Sequence, residues 1–243
     1  LCAKLLEGRV GLLIDGTPFA LVIPKLFCES FQTMDDYCYP PVYTTFIRWI
    51  KYAAFLVAVL LPSLYLAVAL HHPELLNRTL LLILADAEQN APLSLTAETV
   101  GVLLVYEMIR EAGLRLPKAV GGAVSIVAGL IIGDAAVSSG LISTPMLTVT
   151  AIAVISGFVI PDLNTSITLL RLAFLFAGGI WGLFGISLLG AAVLFNLCAG
   201  ESFGFPIMAP VAPLYRKGLR DTLTRVSFRK MQSGNFTVEE YHE

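Results

Sequence analysis

The sequence predicts a mainly α-helical, polytopic membrane protein, with a short N-terminal β-hairpin as the remnant of a soluble domain. Three observations predict it. Of 243 residues, 56% are hydrophobic and only 14% charged, against roughly 25% charged in an average soluble domain. The mean hydropathy is +0.79. Several uncharged runs approach or exceed the ~20 residues that cross a hydrocarbon layer, with polar, turn-forming segments between them. The formal net charge is −2, and no basic stripe marks a surface for nucleic acid.

Residues 1–45 read as the C-terminal end of a cytoplasmic soluble domain. The chain starts at Leu1, and a hydrophilic segment rather than a signal peptide precedes the first long apolar run, so an N-terminal portion is expected to be missing. "GRVGLLIDGTPFALVIPKLF" is two β-type runs joined by Asp15-Gly16-Thr17-Pro18, a hairpin signal. Two strands alone are marginal, so they are expected to complete a sheet begun upstream. "CESFQTMDDYCYPP" predicts a short helix broken at Pro40-Pro41.

Residues 46–214 read as the membrane domain. Arg48, Trp49, Lys51 and Tyr52 suit a membrane interface, where aromatics sit at headgroup level and cations reach water. Ala53–Leu70 carries no charge and predicts the first span, kinked at Pro62, whose freed carbonyl must find another partner. His71, His72, Pro73 and Glu74 end it. Ala119–Val137, Pro145–Ile160 and Leu172–Cys198 make three further strong spans. Arg171 reads as a boundary cation at the start of the last one.

Residues 215–243 form a basic cytoplasmic tail. Arg216, Lys217, Arg220, Arg225, Arg229 and Lys230 face the single acid Asp221 between Tyr215 and Met231. By the positive-inside rule this tail and the Arg48/Lys51 flank lie on the cytoplasmic side, which four crossings satisfy. Leu93–Ala112 is then re-entrant, on the surface, or a fifth crossing that breaks the count.

That segment carries the candidate functional residues. On a helix at 100° per residue, Thr96, Val100, Leu103, Glu107, Arg110 and Glu111 share one face, and Glu98 points the opposite way. Arg110 is placed to bridge Glu107 and Glu111. Ionisable groups among spans either sit at headgroup level or line a watery path. On the second of these readings Glu98 and Glu107 are the candidate pore acids; Arg110 and Glu111 are a charge cluster at the helix end. Gly113 is expected to end the helix and Pro117 to open the next, a hinge. Gly129 and Gly133 belong to one stripe of small residues, and Gly178 and Gly182 to another. Both predict close helix packing, within the chain or at an oligomer seam.

Four cysteines are present, without ligand spacing or a paired framework, and read as reduced thiols. No metal or cofactor is expected. Neither a phosphate loop nor a catalytic constellation is legible, so the chain is not expected to be an enzyme.

"GRVGLLIDGTPFALVIP", "FIRWIKYAAFLVAVLLPSLYLAV" followed by "HPELL", "REAGLRLPKAVG" and "SFGFPIMAPVAPL" together resemble the A-type component of GerA-type spore germinant receptors. The likeness runs from Gly8 to about Leu214. It implies a large cytoplasmic domain ahead of the hairpin and a place in the inner membrane of the endospore. It also implies a homo-oligomeric, ligand-gated channel for monovalent cations, partnered by a transporter-like B subunit and a lipoprotein C subunit. The family includes a sporulation branch, the stage V AF proteins, associated with dipicolinic acid release. A non-conducting scaffold component of the receptor is the alternative. A transporter is a third reading, resting on Pro62 alone without an inverted repeat.

Overall fold

The computed structural model describes residues 4–5, 8–18, 20–90, 92–214 and 219–225. The chain divides into two compact units, Leu1–Ala53 with Gly190–Glu243, and Ala54–Leu189. It is mainly helical, with a short hairpin near its start.

In the first unit, β1 (Val10–Leu13) pairs antiparallel with β2 (Ala20–Ile23), Val10 opposite Ile23 and Leu13 opposite Ala20. The connection turns at Gly16, whose φ of 83° suits glycine. Its N–H donates to the Asp15 carboxylate at 3.0 Å. The expected hairpin is present. A second one, β3 (Glu201–Ser202) with β4 (Phe205–Pro206), was not legible. Phe203 and Gly204 both take positive φ there, 55° and 74°, as a primed two-residue turn requires. The phenylalanine in a position that favours Asn or Gly hid it. Leu26, Phe205 and Ala209 form a small core, and the Phe27 N–H donates to the Ile207 carbonyl at 2.9 Å.

Two 3₁₀ turns, Phe27–Phe31 and Met34–Tyr37, replace the single short helix expected before Pro40. Helix α1 (Pro41–His71) then begins twelve residues ahead of the expected span. Proline at the first helical position lacks only an N–H that would have no intrahelical partner. Thr44 Oγ1 donates to the Asp36 and Pro40 carbonyls at 2.9 and 3.2 Å. Pro40-Pro41 therefore starts a helix rather than breaking the chain.

The second unit takes up the later part of α1 and continues with α2 (Arg78–Asn90), α3 (Leu95–Arg115), α4 (Lys118–Ser138), α5 (Thr144–Phe158) and the first part of α6 (Asn164–Ala199). α2 was not expected. α3 packs on α4 and α5, around a core of Leu66, Leu95, Leu103, Met146, Val154 and Leu175. α4 and α5 match two expected spans in position.

Among the described residues, two helices are long and apolar enough to cross a membrane: Pro41–His71, and the run Pro161–Ala199 that includes α6. Gly129–Ser138 and Thr144–Phe158 are shorter apolar stretches. Length and composition thus support two of the four expected crossings.

α6 is also not one rod. Gly182 takes φ 61° and ψ −145°, splitting it into two helical pieces. That combination is open essentially to glycine alone.

Candidate functional site

The second unit holds several ionisable groups on otherwise apolar helices, and Glu98, Glu107, Arg110 and Arg171 have partners within the chain. Pro62 lacks an N–H, so the Ala58 carbonyl has no helical donor. Arg171 supplies one: its Nε donates to the Ala58 carbonyl at 2.7 Å and its Nη2 to the Ala153 carbonyl at 3.2 Å. Arg171 is 3% exposed, and no carboxylate pairs with it among the described residues. It is not a boundary cation. Gly157 makes room for it, because a Cβ there would sit 3.3 Å from Nη2. The sequence did flag the orphaned carbonyl at Pro62, but not that Arg171 would supply its donor.

The two candidate pore acids face opposite ways, as the helical projection predicts, and both are engaged within the chain. Glu98 is 2% exposed. Its Oε1 accepts from the Ser143 N–H at 2.5 Å and from Ser143 Oγ at 2.7 Å, so it caps the start of α5, where unpaired N–H groups favour an anion. Glu107 is half-buried on the other face. It pairs with Arg110 at 2.6 Å and accepts from Thr168 Oγ1 of α6 at 2.9 Å.

Arg110 does not bridge two acids. Glu107 and Thr168 occupy its guanidinium. Glu111, one residue on and so about 100° further round the helix, pairs with Arg115 at 2.8 Å on the surface.

α3 runs through Gly113 to Arg115. The break before α4 falls at Leu116, held extended (φ −78°, ψ 152°) because the residue before a proline is pushed out of the helical region. Pro117, not Gly113, decides where the helix stops.

The two glycine stripes differ. A Cβ on Gly178 would sit 2.9 Å from the Ser63 carbonyl, and one on Gly182 3.0 Å from the His71 ring, so both lie close against α1. Gly129 and Gly133 have nothing within 4 Å of a Cβ position. They line an apolar cleft of about 530 Å³ with Val102, Tyr106 and Ile109 of α3 and Phe158 of α5. Among the described residues, the close packing expected of this stripe is not made at Gly129 or Gly133.

The cations expected to mark the cytoplasmic flank are buried as well. Arg48 is fully buried and Lys51 is 7% exposed. Both pair with Asp36, at 3.3 and 3.0 Å, and Arg48 also pairs with Asp221 at 3.2 Å. They are structural ion pairs rather than snorkelling cations. Of the tail cations, Arg216, Lys217, Arg229 and Lys230 lie outside the described residues. Cys28, Cys38 and Cys198 are free thiols, and burial pushes the Cys28 thiol up to about 11.

The sequence pattern described as "Bacillus/Clostridium GerA spore germination protein" matches residues 1–235. The chain belongs to the GerA family. It is 38% identical over 226 residues to spore germination protein KA of Bacillus subtilis (strain 168), covering 92% of this chain and 41% of that protein. It is 35% identical over 226 residues to spore germination protein GerLA of Bacillus cereus, covering 92% and 46%. It is 36% identical over 231 residues to the uncharacterized membrane protein YfkQ of B. subtilis (strain 168), covering 94% and 45%. The chain therefore spans somewhat under half the length of these three relatives. No solved structure matches it.

Proposed function

We propose that this GerA-family chain is the membrane domain of the A-type component of a nutrient-responsive spore germination receptor. In this reading it crosses the inner membrane of the endospore several times, assembles as a homo-oligomer with a transporter-like and a lipoprotein partner, and conducts monovalent cations at germination. It does no chemistry of its own. Family membership over nearly the whole chain carries the germination role, and the relatives named as spore germination proteins support it. The two long apolar helices support the membrane location.

Conduction is supported by the polar groups inside the second unit. Glu98, Glu107, Arg110 and Arg171 are carried on helices that would be cheaper to build without them. A passive anchor has no need of such a set. The test is cation current through the purified intact protein in planar bilayers, comparing wild type with Glu98→Gln and Glu107→Gln. A cation-selective current altered by one substitution is expected, with assembly intact.

One observation favours the scaffold reading. Both acids already have partners within the chain: Glu98 caps α5 and Glu107 holds Arg110 and Thr168. If germination is lost only together with assembly, and ion flux never changes, the chain is a scaffold. A role in dipicolinic acid release would show as loss of that efflux with cation current unchanged.

A further inference from the structure

The chain that follows α6 returns to the start of α1. Leu219–Thr222 form one helical turn, α7, and the described segment runs on to Arg225. Among the described residues, four side chains donate to its main-chain carbonyls. Gln32 Nε2 donates to the Asp221 carbonyl at 2.9 Å, and Arg48 Nη1 donates to the same oxygen. The Tyr52 hydroxyl donates to the Thr222 carbonyl at 3.3 Å and Trp49 Nε1 to the Leu223 carbonyl at 3.2 Å.

Two charged side chains anchor the ends. The Asp221 carboxylate accepts from the Tyr37 hydroxyl at 2.8 Å and from Arg48 at 3.2 Å. Arg225 donates to the Tyr37 carbonyl at 3.0 Å and to the Tyr39 carbonyl. Its guanidinium lies 5.8 Å over the Tyr37 ring, and its N–H donates to Thr45 Oγ1 at 3.1 Å.

The adhesion is polar. Leu223, the segment's large apolar residue between the two anchors, is 46% exposed. A stretch of permanent core would be held the other way round, by buried apolar side chains with the main chain satisfied by its own neighbours. Main-chain recognition with a few charged anchors is how folded proteins take up peptide segments.

We propose that residues 219–225 are a releasable strap, docked in a peptide-reading groove formed by the Met34–Tyr37 turn and the first turns of α1. The groove takes a short segment with an acid and an arginine four residues apart, and in this structure the chain's own Asp221 and Arg225 fill it. The strap ties the chain leaving α6 to the start of α1, the two helices long enough to span a bilayer. Its release frees those two ends from each other. The inference stands on these contacts and not on the receptor reading.

Urea titration of the intact protein tests it. The two tryptophans are Trp49 and Trp181, so a Trp181→Phe background makes fluorescence report on the Trp49–Leu223 contact. Far-UV circular dichroism reports the helices. Strap release is a sub-global opening, so the fluorescence transition is expected at lower urea than helix loss. Asp221→Asn should move the first transition down and leave the second in place. Coincident transitions in the parent, or an equal shift of both by Asp221→Asn, would make the segment fixed core and overturn the proposal.

A second arm uses a labelled synthetic peptide of residues 217–227. It should bind an Asp221→Ala/Arg225→Ala protein, whose own strap no longer competes, on the order of tenfold or more tighter than the parent, because a tethered segment competes at high effective concentration. A scrambled peptide should not bind. Failure of the native peptide to bind a variant with parental helix content and global transition would refute the groove.

Discussion

Arg48 and Arg171 are both buried, and they are satisfied by different chemistry. Arg48, in the first unit, faces two carboxylates, Asp36 and Asp221. Arg171, in the second, is met among the described residues by main-chain oxygens, those of Ala58 and Ala153. The first arrangement imports acids to match a cation. The second matches a cation to a backbone defect: Pro62 leaves an acceptor without a donor, and Arg171 is a donor without an acid. In an apolar surrounding each group alone would be costly, and each removes the other's cost. The difference fits a first unit with polar neighbours and a second that the proposed function places among lipid chains.

The strongest way to break this comparison is to remove one side of the second pairing. Arg171→Met leaves the buried Ala58 carbonyl without its donor, at roughly 1–3 kcal/mol, and takes a bond from the Ala153 carbonyl, which sits inside α5. It should lower the melting temperature of the detergent-solubilised protein more than any other substitution considered below. Pro62→Ala restores a helical N–H for the Ala58 carbonyl. In that background Arg171→Met should cost less, by on the order of 1 kcal/mol or more. Equal losses in both backgrounds would mean that Arg171 does not serve the proline kink.

Next in size are the glycines of α6 that lie against α1. Gly182→Ala must hold a backbone conformation that costs an alanine about 1–3 kcal/mol. Gly178→Ala pushes a methyl toward the Ser63 carbonyl, a backbone atom that cannot swing aside. Both should destabilise in the same thermal assay. A neutral Gly182→Ala would mean that α6 is not broken there in the assembled protein.

Acid separates the two arginine sites. Burial acts to raise the Asp36 carboxyl, but hydrogen bonds from Lys51 and Thr33, the Lys51 charge and the Arg48 hydrogen bond outweigh it and hold it below the ordinary carboxylate range. Glu29 is likewise held low against burial by Arg9 and Lys4. A carboxyl whose folded value is depressed contributes stability that is complete above its unfolded value and is lost as pH falls through the folded one. The loss should therefore begin as pH drops below about 4–5, the ordinary carboxylate range, and continue below it. Carbonyl partners do not titrate in this range, so Arg171 should be unaffected. With the intrinsic exchange rates at each pH divided out, amide protection at pH 3 against pH 7 is expected to fall around Asp36 and Glu29, while the amides around Arg171 keep theirs. Equal loss at both sites would remove the distinction.

The legible and illegible parts follow the same division. The hairpin at Asp15-Gly16, the positions of α4 and α5 and the opposite facing of Glu98 and Glu107 could be read because local periodicity and turn chemistry set them. The early start of α1, the burial of Arg48 and Lys51 and the role of Arg171 could not. The last two turn on partners distant in sequence: Asp221 lies 173 residues from Arg48, and Ala58 lies 113 from Arg171. A cation beside an aromatic near a span looks the same whether it reaches water or an acid folded back onto it. Pro62 was the exception, since a proline inside a helix announces a missing donor. It announced the need, not which residue would meet it.

The smallest expected effect has the opposite sign, and it tests the two glycine stripes against each other. Gly129 and Gly133 have open space where a Cβ would go, and in a helix interior alanine is favoured over glycine by up to about 1 kcal/mol. Gly129→Ala and Gly133→Ala should leave the melting temperature unchanged or raise it slightly, in contrast to Gly178→Ala. If they lower it in the assembled protein but not in dispersed single chains, the cleft they line is closed in the assembly by a neighbouring element. The α4 stripe would then be a packing face after all, between chains rather than within one. If they are neutral in both, the cleft stays open, and the likeness between the two stripes in sequence carries no likeness in role.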